Sequence, residues 1–355
     1  MPTDLQFALL GQEVAVANID GELKKLWEID NAPTRASLIN FALYSESPDS
    51  IQSNVETIQE ITADHACRSI LITAIPEESD SRIRSWITAH CQLDGNGNKT
   101  VCSEQIAFLV TNDCTALVRN IVFAHLDSDL PLVFWWQGDL ANGFEDDLYS
   151  RIDRLIFDSD SWSDLSRGLE ALNNALINPR SHFVGHDIAW TRSHYLRRAI
   201  AAAFENPALN TKLSSLESIS IEADRHHRST AILLLAWIAS RLDIPLSPES
   251  LDDPELLFQS SDQGPRASIT LTESGLPLDT LTLAFNSGSF TIKRLTDPQF
   301  FQMQTRVENF DREKRVPADP TKTSALIVDQ LMRGGTNALY HNTLPTTVGL
   351  VQWPR

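Results

Sequence analysis

Glycine is scarce. Fourteen glycines in 355 residues form no G-x-G-x-x-G and no G-x-x-x-x-G-K, so the usual phosphate-cradling loops are missing. There is no C-x-x-C either, which removes the common zinc and redox spacings. The four cysteines, Cys67, Cys91, Cys102 and Cys114, all fall in the first half and read as free thiols of a reducing compartment. Without H-E-x-x-H or G-x-S-x-G there is neither a metalloprotease helix nor a nucleophile elbow. No apolar run approaches the ~20 residues of a membrane span. Cationic charge is short as well: 29 Lys and Arg against 47 Asp and Glu leave −18. Such a chain is poorly steered toward nucleic acid or an anionic membrane. The opening "MPTDLQFALL" lacks the basic start of a signal peptide, so a cytoplasmic address is expected.

What is present is a regular alternation. Residues 13–28 and 51–66 have helical apolar spacing, with Ile51, Val55, Ile58 and Ile61 on one face of the second. "RASLINFALY", "RSILITAI", "LPLVFWW" and "RLIFDS" read as strands, the third as one buried on both faces. "SRIRSWITAHCQL" and "KTVCSEQIAFLV" flank "DGNGN" and read as a hairpin. Residues 113–127, 143–151 and 162–177 suit helices. This implies an α/β domain over 1–180, with a mostly parallel sheet, flanking helices and an antiparallel hairpin. A smaller α+β domain is expected over 181–355. It opens with one long helix, about 188–205, and continues with the strand "KLSSLESISIEAD". "HHRSTAILLLAWIASRLD" is apolar nearly all round and reads as a buried helix. Residues 246–266 read as a loop. Three alternating strands and a last helix near 321–334 follow.

"DIAWTRSHYLRRAIAAAF" holds the most unusual chemistry. Asp187 is a good N-cap. Ala189, Leu196, Ile200 and Phe204 share a core face, and Arg192 at its edge needs a carboxylate or carbonyl partner. Trp190, His194 and Arg197 share a flank, a composition that suits an interface hot spot or intradomain packing. In "WWQGD", Trp135 and Trp136 point to opposite sheet faces, so either both are core or one is offered at the rim. Other readings stay open: a sugar-phosphate enzyme with His182, His186, Arg197 and Arg198 lining its pocket, or a plain sugar-phosphate binder. No metal site or cofactor is indicated.

"TRASLINFALYSE", "DHACRSILITA", "LPLVFWWQGD", "DIAWTR", "ADRHHRSTAILLLAWIASRL" and "ALYHNTL" together resemble the glucose-6-phosphate dehydrogenase assembly protein family, OpcA. The resemblance covers nearly the whole chain. It implies a non-catalytic allosteric activator or assembly subunit of the tetrameric dehydrogenase in the pentose phosphate pathway. Carried over by motif, His65, Arg68, Trp135, Trp136, Asp187, Trp190, Thr191 and Arg192 are the expected partner-binding or family-motif residues. Ala66 departs from the family's usual Pro. The family's photosynthetic members are redox-controlled through cysteines, but none lies beyond Cys114 here, which argues against that control. Cys91 and Cys102 could still face each other across the hairpin as a switchable pair.

Overall fold

A computed structural model describes residues 7–30, 34–35, 37–93, 99–127, 129–140, 150–260, 264–308, 310–333 and 337–352. The chain divides into two compact units whose segments interleave, rather than at one cut after residue 180. The first takes Met1–Phe157, Asn173–His186 and Ile327–Gly334, and the second takes Asp158–Leu172, Asp187–Leu326 and Gly335–Arg355.

The strands of the first sheet are β1 (Gln12–Val14), β2 (Thr34–Arg35), β3 (Ile39–Ser45), β4 (Cys67–Ile75), β5 (Ile83–Leu93), β6 (Lys99–Thr111), β7 (Leu132–Trp136), β8 (Arg154–Phe157) and β9 (Val184–Asp187). Their order is β1-β5-β6-β4-β3-β7-β8-β9, with β2 beside β6. The β6-β4-β3-β7-β8 stretch is parallel, and β5 joins β6 as the expected antiparallel hairpin. Residues 94–98, its turn signal, lie outside the described residues, as does most of the helix expected at 143–151. Helix α1 (Ile19–Asp30) starts later than its periodicity suggested, because Gln12–Val14 pairs with β5 instead. Helix α2 (Ile51–Asp64) buries the four apolar residues named for it. The segment expected to be helical from 113 is a 3-10 turn leading into α3 (Val118–Ala124). β7 is buried at all five positions, so both Trp135 and Trp136 are core and neither is offered at the rim.

In the hairpin, Cys91 stands opposite Cys102 and is disulfide-bonded to it, while Cys67 and Cys114 are free. The expectation of four free thiols is therefore corrected to two. Burial pushes the Cys67 thiol up to about 12, which leaves it almost no thiolate at neutral pH. The unreduced, denatured chain is expected to titrate two thiols and the reduced chain four. In the native chain half-buried Cys114 should react with a thiol reagent well before Cys67, and four fast thiols without reductant would refute the pairing.

After α4 (Leu165–Ile177), α5 (Ile188–Thr191), α6 (His194–Phe204) and α7 (Pro207–Asn210), the second unit builds an eight-stranded sheet. Its strands are β10 (Leu216–Asp224), β11 (Ser247–Ser250), β12 (Glu255–Gln259), β13 (Arg266–Thr272), β14 (Thr280–Phe285), β15 (Gly288–Arg294), β16 (Phe300–Val307) and β17 (Phe310–Pro317), in the order β11-β12-β13-β10-β14-β15-β16-β17. Only β10 and β13 run parallel. The 246–266 loop is corrected: "SPES" is the short edge strand and "ELLFQ" pairs between it and β13, and Pro248 and the intervening Asp252-Asp253-Pro254 hid them. With β16 and β17 added, the second sheet is not a small one. Burial alternates along β13 and β14 as a sheet with one core face requires. The core face is covered by α8 (Arg228–Leu242), buried from Ser229 to Ala239, which packs on β10, β13 and α10 (Ala338–Val351). Gly288 opens β15 at φ +142, where a Cβ would sit 1.9 Å from the Arg306 carbonyl oxygen, so any side chain there breaks the β15–β16 pairing. A further helix, α9 (Thr323–Met332), closes the chain's penultimate segment.

Candidate functional site

The motif residues of the second unit meet in one buried polar cluster. It begins where β8 runs out. Asp158 caps a 3-10 turn, Ser159–Ser161, by accepting from the Asp160 N–H. Asp187, fully buried, caps α5. Its carboxylate accepts from Ala189 N–H at 2.9 Å, Ser159 N–H at 3.1 Å and the Tyr340 hydroxyl at 3.1 Å. Burial, with the nearby Asp158 charge, pushes its carboxyl up to about 7. Thr191 donates its hydroxyl back to the Asp187 carbonyl.

Arg192 supplies the charge between the carboxylates. Its guanidinium donates to both Asp158 oxygens at 2.7 Å and to Asp160 Oδ2 at 3.0 Å. The planar fork fits this bidentate arrangement, which Lys could not reproduce. Burial acts to raise the Asp160 carboxyl, but His227 Nδ1 at 3.0 Å, Arg192 and Thr230 outweigh it and hold it below the usual range. Thr230 anchors Asp160 twice, through N–H at 2.9 Å and hydroxyl at 2.6 Å. The first turn of α8 is thereby fixed to the 158–161 turn, with Ser229 donating to the Ser159 carbonyl.

The expected single helix over 188–205 is broken. Ser193, at φ −119, interrupts it, and α6 restarts at His194. Ser193 makes no capping bond; Asp319 instead accepts from the Tyr195 and Leu196 N–H groups at 2.7 and 3.1 Å. Arg197 folds back so that its guanidinium carbon lies 3.4 Å from the Trp190 ring centroid, and it donates to the Trp190 carbonyl and to Ser193 Oγ. Tyr340 meets the Trp190 ring at 5.6 Å. Of the two readings of that flank, the structure shows the intradomain packing: an internal cation–π stack with Trp190 and Arg197 both buried.

The remaining motif residues lie in the first unit. His65 is half-buried and ends α2. The Arg68 Nε stands 2.7 Å from the buried Glu104 carboxylate, which also accepts from Trp27 Nε1 at 3.1 Å. Trp136 stacks on Tyr44 at 4.2 Å. Among the eight motif residues none is exposed. The sequence reading missed Asp158, Asp160, Asp319, Tyr340 and Glu104. "FDSDSW" carried a usable signal, since Asp-x-Asp after a strand is a capping pattern. Asp319 and Tyr340 lie too far along the chain for any local pattern to reveal. The described residues hold no group of His, Cys, Asp and Glu able to bind a metal; His186 is buried, whereas His182 is exposed. No helix among them is long and apolar enough to cross a membrane.

Residues 58–174 match the family model described as the glucose-6-phosphate dehydrogenase subunit N-terminal domain, and residues 184–344 match the C-terminal domain of the same subunit. The chain belongs to this family. A relative named as OxPP cycle protein OpcA in Synechocystis sp. is 24% identical over 86% of this chain and 67% of its own length. Another, from Nostoc punctiforme, is 28% identical over 52% of this chain and 39% of its own length. The fold of this chain is similar to that of solved structures. The 3-ketoreductase KijD10 of Actinomadura kijaniata, in complex with NADP and TDP-benzene, superposes with TM-score 0.51 at 10% identity, covering 89% of this chain and 96% of that one. Its open conformation gives 0.50 over 88% and 95%. At that identity the likeness concerns the fold alone.

Proposed function

We propose that this chain is a non-catalytic subunit that binds the glucose-6-phosphate dehydrogenase tetramer and activates it in the oxidative pentose phosphate pathway. The observation that carries the reading is the pair of family models falling in order along one chain, from residue 58 to residue 344. The relatives' naming as OxPP cycle proteins agrees with it. The buried cluster agrees as well: Asp187, Trp190, Thr191 and Arg192 are sealed from solvent, so they hold a scaffold rather than meet a substrate. The docking surface then lies outside these four residues and is set in place by them.

A subunit that binds the competent form of the enzyme more tightly shifts its population toward that form. A tenfold fall in apparent substrate constant needs about 1.4 kcal/mol of coupling. The test is the initial rate of the cognate dehydrogenase at limiting glucose 6-phosphate, with and without this chain. A several-fold rise at low substrate, vanishing at saturation, is expected. Identical rates, with two separate peaks on size-exclusion chromatography, would remove the reading. Turnover of a sugar phosphate by the chain alone would replace it with an enzymatic one.

A further inference from the structure

In open parallel sheets, ligands sit outside the carboxyl ends of the strands where the strand order reverses. Here that place is fixed by topology. β3 has β4 on one side and β7 on the other, so the order reverses between β3 and β7. A pyrophosphate would need the turn after β3, with free N–H groups, a glycine backbone and an uncrowded approach to the α2 N-terminus.

The turn meets these requirements poorly. It reads Ser45-Glu46-Ser47-Pro48-Asp49-Ser50, without glycine. Three N–H groups of the turn and the α2 start are already engaged. Ser47 N–H bonds Ser45 Oγ at 3.2 Å, Ser50 N–H bonds the Ser47 carbonyl at 3.2 Å, Ile51 N–H bonds the Pro48 carbonyl, and Pro48 has no N–H. The gap between β3 and β7 is bridged. Asn54, in the first turn of α2, and Gln137, just past β7, exchange amide bonds of 3.0 and 2.8 Å, and Gln137 N–H bonds the Tyr44 carbonyl at 2.9 Å. Asn54 Nδ2 also reaches Ser50 Oγ at 3.0 Å. Alongside, the Tyr44–Trp136 ring stack is tied down by the Tyr44 hydroxyl donating to Glu46 at 2.7 Å.

The charge has the wrong sign as well. Glu46 and Asp49 are exposed on the turn itself, Glu77 and Asp80 are exposed on the loop after β4, and half-buried Asp139 follows β7. A dianionic pyrophosphate brought there meets these like charges.

We infer that the dinucleotide site this fold would offer is closed in this chain, and that Asn54 and Gln137 form the clasp that closes it. The inference concerns the first unit alone and stands whether or not the chain activates a dehydrogenase.

The test uses the full chain without any partner. NADP+, NADPH and NAD+ are titrated to millimolar concentration at low salt, with the thermal midpoint and tryptophan emission read out. No saturable change is expected. Asn54→Ala and Gln137→Ala should each lower the midpoint by about 2–4 °C, and the double variant by no more than the larger single loss, because one reciprocal pair is broken either way. A saturable rise in midpoint with any of the three nucleotides would overturn the closed site. Additive or absent losses in the two variants would overturn the clasp.

Discussion

Arg192→Ala is expected to lower the unfolding free energy by about 3–5 kcal/mol, because it strands two carboxylates that the guanidinium holds together. Asp160 is buried and Asp158 largely so; both lose the guanidinium that neutralises them. Arg192→Lys keeps the positive charge but loses the bidentate fork to Asp158, so its loss should be smaller yet clear. Urea unfolding followed by tryptophan fluorescence checks both. The same experiment separates two roles for the family-motif residues. If Arg192→Ala unfolds at the wild-type midpoint while failing to activate the dehydrogenase, the residue contacts the partner and the scaffold reading is wrong.

The second large effect is a dependence on pH. Asp187 has its carboxyl raised to about 7, chiefly by burial and then by the Asp158 charge. A folded state that holds a proton more tightly than the unfolded chain is most stable where the proton is bound in both. Stability therefore falls as pH rises from about 4, where the unfolded carboxyl titrates, to about 7. The full swing for this group is on the order of 4 kcal/mol. Asp319, raised by burial to about 6, adds loss of the same sign over a narrower window. Asp160, held low, acts oppositely and only in acid. Asp187→Asn keeps the shape and an acceptor for the Ala189 and Ser159 N–H groups. It should flatten the decline between pH 4 and 7 without abolishing it, since Asp319 remains. Chemical denaturation at closely spaced pH values decides it. An unchanged slope in the variant would mean that its three hydrogen bonds keep Asp187 ionised in spite of burial.

Much of the fold was legible wherever local pattern and tertiary environment agree. The β7 run "LVFWW" and the α8 stretch "AILLLAWIA" are apolar throughout because both are buried on every side. The hairpin registers Cys91 against Cys102 because its two strands alternate in phase. What stayed hidden was non-local. The 188–205 segment has the periodicity of a continuous helix, and its break at Ser193 follows from Asp319 taking over the capping bonds from far along the chain. Arg192 advertised its need for a carboxylate, but its edge position could not say that two lay in the turn after β8. Trp190 and Arg197 carried a binding-surface composition because an internal cation–π stack uses the same side chains.

The interleaved division of the chain has a consequence for how it is made. Arg154, the first residue of β8, donates to the carbonyl oxygens of Gln330 and Leu331, in the segment Ile327–Gly334 that returns to the first unit. A ribosome that has synthesised the first 300 residues has not yet delivered that piece. The first unit stays unfinished until residue 334 has emerged. Halves expressed separately on either side of residue 180 would each be missing a part the other carries.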